Sequence, residues 1–70
     1  MNRIQVVSSS INSIGYNQAD EILEVEFSRG AIYKYYDVPV KIYNDLIGAE
    51  SIGRYFSKKI ARVYRFEEMK

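Results

Sequence analysis

Ile22-Leu23-Glu24-Val25-Glu26-Phe27-Ser28-Arg29-Gly30-Ala31-Ile32-Tyr33-Lys34-Tyr35 is the stretch that decides the fold. From Ile22 to Phe27 it alternates with period two, setting Leu23, Val25 and Phe27 on one face and Glu24 and Glu26 on the other. Ser28-Arg29-Gly30 then fits a three-residue hairpin loop, with Gly30 in the left-handed conformation that glycine adopts without steric cost. Ala31 to Val38, rich in tyrosine, is the returning strand. A three-residue loop pairs Phe27 with Ala31, Val25 with Tyr33 and Leu23 with Tyr35. On the other face it pairs Glu26 with Ile32, Glu24 with Lys34 and Ile22 with Tyr36. Apolar then meets apolar and Glu24 meets an opposite charge. A two-residue loop would set Val25 across from Lys34, and a one-residue slip flips every side chain, so the first register is expected.

Upstream, Ser10 to Tyr16 reads as the first strand, entering the second through Asn17-Gln18-Ala19-Asp20. Ile11 and Ile14 differ in parity, which predicts a bulge near Ser13 or Gly15. The residues before Ser8 are expected to fray, as untethered termini do. Downstream, Pro39 suits the first turn of a helix and Asp37 is placed to cap it. Val40, Tyr43, Leu46 and Ile47 share one side of this helix, and Gly48 ends it. Ser51 caps a second helix expected to run to about Tyr64, with Ile52, Tyr55, Phe56, Ile60 and Val63 as its buried stripe. The prediction is one domain over residues 1–70, with its core at about 7–66. Its class is α+β: a three-stranded antiparallel β-meander followed by two helices packed on one face, β-β-β-α-α.

The 70 residues are 47% hydrophobic and 27% charged, an ordinary globular balance. A core this small supplies roughly 3–5 kcal/mol, so self-association would be a natural supplement. With no cysteine and no histidine, disulfides, thiol chemistry, Cys/His zinc sites and histidine bases are excluded. No apolar run approaches the length of a membrane span and the start lacks a signal-peptide stretch, so a cytoplasmic location is the default expectation. The net charge of +1 conceals a division. Residues 1–38 carry three basic and five acidic side chains, giving −2, and residues 39–70 carry seven and four, giving +3.

Four motifs occur in order: Ser9-Ser10-x-Ile-x-x-Ile14-Gly15-Tyr16, Leu23-Glu24-Val25-Glu26-Phe27-x-x-Gly30, Tyr33-x-Tyr35-x-x-Val38-Pro39 and Ala49-x-Ser51-x-Gly53-x-Tyr55-Phe56. Together they resemble the KTSC domain family, a module found at the C-terminus of some lysyl-tRNA synthetases and as tiny stand-alone bacterial proteins. The resemblance covers about residues 7–66. It implies RNA binding, through the association with those synthetases.

The leading candidate site is the start of the second helix. Free amides there favour an anion, Ser51 offers a hydroxyl, Gly53 permits close approach, and Arg54 can hold phosphate in bidentate fashion. The plainer reading is that Ser51 only caps and Gly53 only allows close packing. Arg54, Lys58, Arg62 and Arg65 recur at near-helical spacing opposite the apolar stripe. They could track a nucleic-acid backbone, with Tyr55 as a stacking platform, or be a solvated face. Lys59 falls within the apolar stripe, where its stem can snorkel. Tyr33 and Tyr35 invite comparison with aromatic pairs that stack bases, although the expected register makes them core. Ile22, Ile32 and Tyr36 form an apolar island on the other sheet face, a candidate for self-association.

Ser8, Ser9 and Ser10 have no histidine to activate them, lysine activation is a thin alternative, and the carboxylates form no metal-ligand pattern. The reading is therefore a non-catalytic binding module without cofactor or metal. It would recognise RNA, single-stranded nucleic acid or a phosphate-bearing nucleotide. The alternative is a protein-interaction or homo-oligomerisation module.

Overall fold

The computed structural model describes residues 2–69; Met1 and Lys70, which the single-domain reading includes, lie outside them. The element order is β1 (Arg3–Gln5), β2 (Ile11–Asn17), β3 (Ile22–Phe27), β4 (Ile32–Tyr35), α1 (Val40–Ile47), α2 (Ile52–Lys59) and β5 (Phe66–Met69). The strands form one antiparallel sheet in the order β1-β2-β3-β4-β5. The α+β class and the central meander followed by two helices stand as expected. The strand number does not: the sheet has five strands where three were expected.

The β3–β4 register agrees with the three-residue loop: Leu23 faces Tyr35, Glu24 faces Lys34, Val25 faces Tyr33 and Glu26 faces Ile32. Gly30 takes φ +98° and donates its N–H to the Phe27 carbonyl at 2.9 Å, closing the turn. The β2–β3 register shifts between Ile11 and Ser13. That bulge lets both Ile11 and Ile14 reach the core, at 1% and 0% exposure.

Both additional strands are edge strands. Arg3–Gln5, expected to fray, is held by pairing of Arg3 with Gly15, Ile4 with Ile14 and Gln5 with Ser13. Phe66–Met69 returns beside β4, pairing Tyr35 with Phe66 and Lys34 with Glu67. The Tyr36 N–H extends that ladder to the Arg65 carbonyl at 2.9 Å, and the Tyr36 hydroxyl donates to Glu67 Oε1 at 2.8 Å. The return requires α2 to end early. Its last residue is Lys59, not Tyr64; Ile60 N–H and Ala61 N–H both turn back to the Phe56 carbonyl at 3.0 Å. Ile60 is fully buried as expected, whereas Val63, expected in the buried stripe, is 61% exposed.

The helices cover one face. Tyr43 of α1 stacks on Tyr16 of β2 at 4.8 Å between ring centroids, and Phe56 of α2 meets Phe27 and Tyr35 edge-on at 5.5 and 5.3 Å. Leu23, Val25, Val38, Leu46 and Ile52 complete the core. Asp37 does not cap α1: Pro39 occupies the N-cap position without a side-chain hydrogen bond. Asp37 instead takes a left-handed backbone, φ 59°, in the turn out of β4.

The uncovered face carries a row of side chains one from each strand: Arg3, Gly15, Glu24, Lys34 and Glu67. Because Gly15 has no side chain, Arg3 reaches across it to Glu24, with Nη1 at 3.1 Å from Oε1. Glu24, 6% exposed, therefore takes its ion pair from Arg3; its cross-strand neighbour Lys34 forms none among the described residues.

Candidate functional site

Helix α2 forms where Ser51, in extended conformation, accepts a hydrogen bond from Arg54 N–H at 3.3 Å. This is the capping bond expected of serine at that position. At roughly 100° per residue, Ile52 and Phe56 point to the sheet and Arg54 and Lys58 point away from it. Gly53 and Ser57 occupy one flank, Tyr55 and Lys59 the other. Arg54, Lys58 and Lys59 are exposed.

Two ion pairs are present among the described residues, Arg3–Glu24 and Lys41–Asp45, so no carboxylate neutralises Arg54, Lys58 or Arg62. The early end of α2 changes the shape of the basic surface. Arg54 and Lys58 share the outer helical face, but Arg62 sits in the turn after it and Arg65 in the entry to β5. The Arg65 guanidinium lies over the Tyr36 ring at 4.8 Å. A single four-residue basic stripe therefore does not exist; two cations on the outer face of α2 are followed by Arg62 on a separate segment.

Tyr55 is half-buried on the flank facing α1. Burial chiefly, with the nearby Asp45 charge, raises its hydroxyl pKa above the ordinary tyrosine value. Asp45 is itself held by Lys41 Nζ at 2.8 Å. Gly53 faces a different neighbour: a Cβ built there would lie 3.1 Å from Ser10 Oγ and 3.5 Å from Ser8 Oγ. The missing side chain thus makes room for the serine turn that precedes β2, the close-packing role weighed from the sequence.

Tyr35 is 4% exposed and Tyr33 half-buried, so Tyr35 offers no free face for stacking. Burial pushes the Tyr35 hydroxyl up to about 12. Tyr33 meets Phe27 edge-on at 5.5 Å, and the Arg29 guanidinium lies over both rings, 5.4 Å from Phe27 and 5.9 Å from Tyr33. On the opposite face Ile22, Ile32 and Tyr36 are each half-buried. Met69 pairs with Ile32, and Tyr36 is engaged by Glu67 and Arg65, so β5 takes up part of the apolar island.

Sequence reasoning missed Arg29 and Phe66. The sequence places Arg29 in the hairpin loop and Phe66 at the end of the core, and the structure sets both against Tyr33. A hairpin-tip arginine two residues from a strand phenylalanine was the available signal. Among the described residues, no group of three or more His, Cys, Asp or Glu could hold a metal ion, and no helix is long and apolar enough to cross a membrane.

Comparison with known proteins places this geometry in context. An uncharacterized protein of Stutzerimonas stutzeri is 47% identical over 58 residues, covering 83% of this chain and 82% of that protein. A lysine–tRNA ligase of Nostoc punctiforme is 36% identical over 61 residues, which are 87% of this chain but 11% of the ligase. The crystal structure of a KTSC domain protein from Yersinia pestis superimposes with a TM-score of 0.94 at 33% identity, covering 99% of this chain and 97% of that one. Its coverage takes in both edge strands, whereas the KTSC domain pattern spans residues 7–64 and leaves β1 and β5 outside it. With that pattern matching 58 of the 70 residues, the protein belongs to the KTSC domain family.

Proposed function

We propose that this chain is a non-catalytic module that binds single-stranded RNA through the outer face and N-terminus of α2. The observation that carries the reading is the pair Arg54 and Lys58, exposed and without a carboxylate partner among the described residues. Arg54 stands in the first turn, where a cation opposes the helix dipole and a bound phosphate would reverse the penalty. Ser51, Gly53 and Arg62 flank these cations, and Tyr55 borders them. The absence of histidine leaves Ser8, Ser9 and Ser10 without the usual activating base, which is why binding is proposed and not turnover. Kinship with proteins named lysine–tRNA ligase adds an RNA context for the same domain. A phosphate-bearing nucleotide would use the same groups. Self-association through Ile22, Ile32 and Tyr36 has less behind it, because β5 already engages that surface.

Fluorescence anisotropy with a labelled single-stranded RNA tests the reading. Affinity should fall steeply with salt. Arg54→Ala with Lys58→Ala should weaken binding at least tenfold and reduce the logarithmic salt slope by about 1.4, from about 0.7 per phosphate contact. A double variant that binds like the parent, or binding indifferent to salt, rejects the proposal.

A further inference from the structure

The covered face of the sheet ends in an aromatic surface that the helices do not reach. Phe66 of β5 is 52% exposed and lies 5.6 Å from both Tyr33 and Tyr35, tilted 40° and 38° to them. Tyr33 in turn contacts Phe27, and Arg29 is held over both. The Arg29 side chain has no carboxylate within 4.0 Å among the described residues, so its donors remain available. Two cation–π contacts position that guanidinium before any ligand arrives.

We propose that Phe66, Tyr33 and Arg29 form a nucleotide-stacking subsite, with an unpaired base lying on the exposed ring of Phe66 and its phosphate held by Arg29. The inference rests on the RNA-binding reading and names where a base would go. An exposed ring alone would suit many apolar partners; a ring whose neighbour Tyr33 carries an unneutralised guanidinium joins a stacking surface to a phosphate contact, the two interactions a nucleotide offers. Glu68 stands across from Tyr33 on β5, two residues along the strand from Phe66. A phosphate at this site is attracted by Arg29 and repelled by Glu68.

The subsite also connects to α2. The hairpin tip touches the serine turn, with Ser28 N–H donating to the Ser10 carbonyl at 2.9 Å and Ser28 Oγ to the Ser9 carbonyl at 3.1 Å. That turn packs on Gly53, next to Arg54. A strand passing from Arg54 to Arg29 crosses exposed Ser9, Ser10 and Ser28, side chains that hydrogen-bond phosphate without opposing its charge. Glu50, also exposed, stands just before Ser51 at the α2 end of this path.

The test compares a single-stranded RNA oligonucleotide with an abasic oligonucleotide of equal length, measured by anisotropy on the full chain. Phe66→Leu keeps an apolar side chain at an exposed position and removes the aromatic face. It should weaken binding of the RNA about tenfold, the usual scale of one lost stacked base. It should leave the abasic oligonucleotide and the salt slope unchanged. Arg29→Ala should weaken both ligands and lower the salt slope by about 0.7. Circular dichroism confirms that each variant is folded. The subsite is rejected if Phe66→Leu binds RNA like the parent, or if it weakens RNA and abasic oligonucleotide equally. A change in sedimentation of Phe66→Leu without a change in RNA affinity would reassign the surface to a subunit contact. These failures leave the α2 cations untested by Phe66 and so differ from the failure of the RNA reading, in which the parent protein binds neither oligonucleotide at low salt; that last result overturns both.

Discussion

The Arg3–Glu24 pair should show an asymmetry set by which charge is left behind. Glu24's side chain is 8% exposed, whereas that of Arg3 is 30% exposed on an edge strand. Arg3→Ala leaves a buried carboxylate without its partner, a change that costs about 3–5 kcal/mol in a fully enclosed site. Two features reduce it here. Water reaches the Arg3 side of the pair, and Lys34, across from Glu24 in the register, can turn toward the carboxylate. A loss of about 2 kcal/mol is expected, a large share of the stability of a domain this size. Glu24→Gln removes the buried charge and leaves Arg3 to rehydrate at the sheet edge. It should cost about 1 kcal/mol or less. Urea denaturation followed by circular dichroism and tyrosine fluorescence measures both, with the m-value checking that the unfolded states compare. Adding Lys34→Ala to Arg3→Ala should destabilise by more than the two single effects summed, because the substitute partner is then gone. Equal or larger destabilisation by Glu24→Gln would refute the argument, since it would mean that the buried charge is not what governs the pair.

Two further outcomes follow from the core and from the serine turn. Tyr35 has its pKa raised from 10.0 to about 12 by burial. The unfolded chain therefore ionises first as pH rises, and the stability present below pH 10 is lost between about 10 and 12, by roughly 1.4 kcal/mol per pH unit. Tyr35→Phe should flatten that alkaline limb in pH-dependent denaturation; an unchanged limb would assign it to other tyrosines. Gly53→Ala places a Cβ 3.1 Å from Ser10 Oγ, tight enough to offset the roughly 1 kcal/mol that alanine gains over glycine in a helix. Thermal melts should show Gly53→Ala close to or below the parent, and Gly53→Ala with Ser10→Ala above Ser10→Ala alone; no gain in the second comparison would show that the contact does not limit the site.

Much of the fold was legible because local chemistry and tertiary need coincide. In β3, alternation, the position of Gly30 and the Glu24–Lys34 pairing all favour one register, and no distant contact opposes it. Ser51 was legible as a cap for the same reason. The end of α2 was not, because Ile60, Val63 and Tyr64 continue a helical apolar pattern past the residue at which the chain must turn. Ile60 belongs to the core, but Val63 lies on the return path to β5 and faces solvent. The candidate site inherits that difference: Arg54 and Lys58 share a helical face as their spacing indicates, while Arg62 and Arg65 follow the chain elsewhere.

By itself, the order of residues determined the meander, the inward face of each central strand, the capped start of α2 and the absence of histidine and thiol chemistry. These depend on periodicity, capping and side-chain type, all readable within a few neighbouring residues. Only the tertiary structure decided that three residues at one end and four at the other become strands. Neither segment carries a strand pattern strong enough to stand alone; each becomes ordered because an open sheet edge offers it unpaired backbone groups. The same assembly brings Arg3 to Glu24 and Phe66 to Tyr33, partners 21 and 33 residues apart in the chain, which no local pattern records.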